Sequence, residues 1–152
     1  MPISLGREIR QYMVSLPTAY LLFNGSLVIL AGLLLGFPLR YAIVKGKGEI
    51  VNAWRVAHSV LIIDGLMMLI IGLIIPHLIL DELAVWVLTW ALVISGYGFV
   101  VAFTIGARKG IRGLTPKPYG LNTILFVTHI IGALGSLVGI SITIYGTLRA
   151  IL

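Results

Sequence analysis

The sequence predicts an all-α integral membrane protein, a single domain folded as a four-helix transmembrane bundle. Three observations carry that expectation. Of the 152 residues, 59% are hydrophobic and only 11% charged, whereas soluble domains carry about 25% charged residues. The apolar residues gather in four runs, at about 16–39, 54–80, 83–105 and 122–148. Each run can cross a hydrocarbon core of about 30 Å at about 1.5 Å per residue. Lipid offers a backbone no hydrogen-bond partners, so each run must be helical.

The first run is too long for a signal-peptide core and lacks a convincing cleavage site, so it reads as a retained span. The second, opening with "NAWRVAHSVLIIDGLMM", carries His58 and Asp64 into the apolar stretch. In the third, Ala91, Ser95, Gly98 and Ala102 fall on one stripe; in the fourth, Thr128, Gly132, Gly135, Gly139 and Gly146 do. Stripes of small residues let helix backbones approach closely in lipid, and no chemistry is assigned to these glycines. Pro116 and Pro118 stiffen the last loop, "RGLTPKPYG".

Charge orients the bundle. Arg40, Lys45, Lys47 and Arg55 lie between the first two runs, and Arg108, Lys109, Arg112 and Lys117 between the last two. The middle turn holds His77, Asp81 and Glu82 but no Lys or Arg, while Arg7, Arg10 and Arg149 sit in the tails. The positive-inside rule puts the basic loops, 40–55 and 108–117, in the cytoplasm and both termini outside. The net charge of +6 then serves topology and anionic headgroups, and no nucleic acid is expected as a partner. The absence of cysteine excludes disulfides, thiolate metal sites, iron–sulfur clusters and cysteine nucleophiles. HExxH, GxSxG and phosphate-binding loop motifs are also missing. Four helices without inverted repeats or charged pathways make a poor transporter.

His58 lies about one turn inside the cytoplasmic end of its helix, and His129 lies at similar depth on the fourth. His77, beside Pro76 at the other end, reads as an interfacial polar residue. Leu61, Ile62 and Gly65 share the face of His58, and Gly65 is expected to leave room for a flat ligand. Arg55 shares the His58 side near the water. Haem needs an imidazole, an apolar slot and cations for its propionates. His58 is therefore either a haem ligand or a structural imidazole bonded to a neighbouring helix.

An ionisable residue inside a span is rare and usually functional. Asp64 lies about 9 Å farther along the axis than His58 and about 120° around it, so the two form no direct pair. No Lys or Arg sits at its depth. The acid is expected to be carried neutral, able to donate a hydrogen bond or act as a general acid. The alternative is a carboxyl satisfied by a neighbouring helix, with Asn24, Ser95 and Tyr97 as candidates.

"WRVAHSVLIIDGLMM" resembles the corresponding segment of the styrene oxide isomerase family. The likeness includes Trp54, Ala57-His58-Ser59, Gly65 and Met67, with Pro76 ending the helix, and resumes at "RGLT", Arg112–Thr115. The resemblance implies a four-helix membrane protein that assembles as a homotrimer and binds haem b through one histidine, here His58. It implies ferric iron acting as a Lewis acid on a small apolar (aryl) epoxide, which rearranges to an aldehyde. Arg55, Gly65 and Arg112 are then expected around the cofactor. The sequence departs from the family pattern where Asp64 stands for an asparagine, Phe103 for a tyrosine and Ser95 for an aspartate. Tyr97 cannot simply replace a tyrosine at 103, since six residues put it on another face. These four positions are the candidate catalytic set.

Two other functions fit the residues. His58 and His129, entering from the same side, would clamp a low-spin haem b in a non-enzymatic electron carrier. A haem-free accessory subunit would dock through its basic loops on a partner or on lipid headgroups, and the small-residue stripes are equally compatible with it. The expected location is a bacterial or archaeal cytoplasmic membrane.

Overall fold

The computed structural model describes residues 14–46 and 48–152. Arg7, Arg10 and Lys47 fall outside the described residues. The secondary structure of the described residues is all helical, with α1 Leu16–Leu34, α2 Gly36–Val44, α3 Gly48–Ile74, α4 Glu82–Lys109 and α5 Leu121–Ile151 joined by loops; a 3₁₀ turn, Ile75–His77, follows α3. Four segments are long and apolar enough to span a membrane: Leu16–Val44, Gly48–His77, Glu82–Lys109 and Leu121–Ile151.

The helices outrun the apolar runs because hydropathy marks the lipid core, whereas the backbone keeps its hydrogen bonds into the interface. The basic segment 40–55 is therefore mostly helix, with Arg40 on α2 and Arg55 on α3. Among the described residues of this segment, Lys45 and Gly46 are turn. Likewise Arg108 and Lys109 occupy the last turn of α4, where cations complement the helix dipole.

Local signals set the helix ends. The Ser15 hydroxyl accepts from the Thr18 N–H with Pro17 in the first turn of α1. Asp81 caps α4, its Oδ1 accepting from Ala84 N–H at 2.7 Å. Gly110, left-handed at φ 68°, closes the other end. The first span is interrupted at Leu35, between α1 and α2. Pro38 there has no N–H to offer the Leu34 carbonyl.

In the bundle α1 lies against α3 and α5 against α4, and α4 also meets α1 and α3. Leu21, Val28, Leu61, Met68, Leu88 and Leu92 fill the centre of the α1–α3–α4 group. Buried positions on α1 are Thr18, Leu21, Gly25, Val28 and Gly32, the alternating three- and four-residue spacing of a left-handed helix seam. On α5 they are Leu125, Gly132, Gly139 and Gly146, one per seven residues, so α5 packs along a single narrow line. The expected stripes do meet: a Cβ on Gly135 would stand 2.6 Å from Ala91 O, and one on Gly98 3.0 Å from Thr128 O.

Candidate functional site

His58 sits on the face of α3 that meets α1. Its Nδ1 lies 2.8 Å from the Gly32 carbonyl oxygen. A carbonyl can only accept, so Nδ1 donates and the neutral ring keeps its lone pair on Nε2. That nitrogen is the one left for a metal. The ring also lies beside Gly36, its Cε1 3.6 Å from where a Cβ would be. Arg55, one turn toward the basic end, is exposed and donates to Asn52 Oδ1 at 3.3 Å.

Gly65 does something other than expected. A Cβ there would stand 2.6 Å from Ile29 Cγ1 and 2.7 Å from Gly25 O. The missing side chain is filled by the backbone of α1, leaving no slot for a flat ligand. Gly25 and Gly65 form the helix crossing that fixes α1 on α3. The seven-residue Gly25–Gly32 spacing of α1 carries in the sequence the same signal as the stripes of the later helices.

Asp64 points into the centre of the bundle and is only 5% exposed. Its Oδ2 has no hydrogen-bond partner among the described residues. A Cβ on Gly96 would stand 3.2 Å from that oxygen, 3.1 Å from Val28 Cγ2 and 3.2 Å from Met68 Sδ. Gly96 thus makes room for the carboxyl between α3 and α4, a role the sequence pattern did not reveal. None of the expected local partners serves Asp64. Tyr97 donates to Asn24 Oδ1 at 2.8 Å, and Asn24 donates to Tyr20 O at 2.8 Å.

Ser95 is fully buried but turned to α5. Its hydroxyl donates to Gly132 O at 2.6 Å and meets Ser136 Oγ at 2.7 Å. With its single proton given to Gly132 O, it accepts from Ser136. Ser95 is a bond between helices, and Tyr97 lies exposed on another side of α4. The candidate catalytic set is therefore dispersed.

Phe103 belongs to a third place. Its ring packs edge-on against His129 at 4.8 Å and beside Phe99 at 5.6 Å. Phe103 and His129 line a cavity of about 630 Å³ at the basic end, with Asn52, Ala53 and Val56 of α3 forming one wall and Arg112 contributing a cation. This volume suits a small molecule. His129 Nδ1 donates to its own helix, at Leu125 O, 2.9 Å away. His58 leaves α3 about 140–160° around from Ala53 and Val56. The two imidazoles therefore face different sides of α3 and share no cavity within one chain. Among the described residues no three His, Cys, Asp or Glu side chains form a metal-holding group; haem asks only one such ligand of the protein.

The family model for styrene oxide isomerase matches residues 18–148. No curated protein and no solved structure matches the chain. The chain belongs to the styrene oxide isomerase family.

Proposed function

We propose that this protein is a haem-b-dependent membrane isomerase that rearranges a small apolar epoxide to an aldehyde. Family membership supplies the reaction class, and one observation carries the cofactor: His58 gives its Nδ1 proton to Gly32 O, which leaves Nε2 as a ligand atom. When bound, ferric haem supplies a Lewis acid to the epoxide oxygen, allowing ring opening and hydride migration without net redox change.

The chain's residues have separate tasks in this reading. His58 holds the iron. Arg55, exposed one turn away, and Arg112, at the same end of the bundle, offer cations to propionates. Asp64 presents one carboxyl in an otherwise apolar centre, where Val28, Met68 and Gly96 surround it. Phe103 and His129 shape the cavity at the basic end. The protein works as a homotrimer in a bacterial or archaeal cytoplasmic membrane, with its basic ends in the cytoplasm.

The test is an absorption spectrum of detergent-purified protein, ferric and reduced, with iron measured per chain and an aryl epoxide assay alongside. A Soret band, near-stoichiometric iron and aldehyde formation are expected. Colourless protein after haem supplementation would sink the proposal and favour an accessory role. A six-coordinate bis-imidazole spectrum, lost in His129→Ala, would replace it with the electron carrier.

A further inference from the structure

We infer that the Gly32 carbonyl is the positioning acceptor for His58: it fixes the imidazole as the Nδ1–H tautomer and raises the basicity of Nε2 toward iron. The second half rests on the haem reading above; the tautomer does not.

The socket is built by the first span for a side chain on another helix. Gly32 is buried where α1 crosses α3. A Cβ there would stand 3.0 Å from both Ile62 Cγ1 and Ile62 N, and 3.1 Å from Leu61 Cβ. Only a glycine lets the two backbones come this close, and that approach brings the carbonyl within 2.8 Å of Nδ1. The same oxygen already receives the Leu35 N–H at 3.1 Å, shared with Ala31 O at 3.2 Å. A carbonyl has two lone pairs, so Gly32 O can serve both donors. The second glycine, Gly36, leaves the space beside Cε1. Gly32, the Leu35 break and Gly36 thus act together on one ring.

The chemical consequence follows from the direction of the bond. Partial transfer of the Nδ1 proton toward an acceptor makes the other nitrogen a stronger donor to a metal. A stronger donor favours the more highly charged ferric ion, so the iron's reduction potential falls. In the proposed reaction the iron would serve as a ferric Lewis acid, and the Gly32 O bond to His58 would favour that state.

The experiment uses the full chain in lipid bilayers, with ¹⁵N-histidine and His77→Gln and His129→Gln substitutions, so that His58 is the one labelled ring. In haem-free protein, NMR is expected to show protonated Nδ1 and bare Nε2. An Nε2-protonated ring, or an even mixture, overturns the inference. The second measurement replaces Leu33 by its α-hydroxy acid, which turns Gly32 C=O into an ester carbonyl and a poorer acceptor without changing any side chain. In haem-loaded protein this is expected to raise the midpoint potential and lower the ferrous iron–histidine stretching frequency. The same replacement at Leu34 is expected to leave both unchanged. A Leu33 ester that binds haem with wild-type potential and stretch overturns the tuning role. If the wild-type chain binds no haem, the isomerase reading fails, and the tautomer alone decides the inference.

Discussion

The two histidine regions of this bundle use the same bond in different ways. His129 donates to Leu125 O four residues earlier on its own helix, a bond open to a helical histidine wherever its rotamer allows. His58 donates to Gly32 O, on another helix and 26 residues away. The first arrangement is local and leaves the ring beside Phe103 in a cavity. The second exists only if α1 lies directly on α3. In the proposed haem reading, the ring held by tertiary structure is the one preorganised for a metal; the ring held by its own helix is a cavity wall.

The largest expected effect separates the two rings. His58→Ala should remove haem and epoxide isomerisation together, whereas His129→Ala should keep the Soret band. Loss of haem in both variants, read from iron per chain, would erase the distinction between them.

Next comes the crossing that supports His58. In Gly65→Ala a Cβ would press on Ile29 and the Gly25 carbonyl. Overpacking of this kind costs about 1–3 kcal/mol, so the thermal midpoint should fall and haem should dissociate faster. An unchanged midpoint and haem retention would show that the crossing does not hold the socket.

Asp64 should respond in the opposite direction. Leu has the branching of the carboxyl and no unpaired oxygen. Asp64→Leu should raise stability by about 1–3 kcal/mol, the usual penalty of a buried unsatisfied polar group, while turnover falls. Lower stability in chemical denaturation would mean that the carboxyl has a structural partner.

Ser95→Ala should do least. Its bonds to Gly132 O and Ser136 join α4 to α5, and interhelical hydrogen bonds in membranes average about 0.6 kcal/mol. Haem content and turnover should stay near wild type. A large fall in turnover at unchanged stability would return Ser95 to the catalytic set.

How much of this could be read beforehand differs from residue to residue. The four spans were legible because lipid forces every backbone polar group into a helix, so a long apolar run has one outcome. The small-residue stripes facing each other across α4 and α5 were legible because close packing in lipid selects small side chains. His58 was legible as an ionisable group where few occur. The role of Gly65 is ambiguous in the sequence, because a missing side chain looks the same whether a ligand or, as here, a helix fills the space. The role of Ser95 was hidden for a related reason: a buried hydroxyl announces itself, but the carbonyl it serves does not.

The sequence by itself determined the class of fold, the number of spans and the helix that carries the histidine. All of these follow from transfer between water and lipid, which depends on residue type alone. The tertiary structure decided which faces of α1 and α3 meet. In lipid both faces of a span are apolar, so the amphipathic period that marks a soluble helix's core is absent. Only the approach of α1 to α3 at Gly25, Gly32 and Gly65 set the direction of His58. Only Gly96, on a different helix, gave the carboxyl of Asp64 its place.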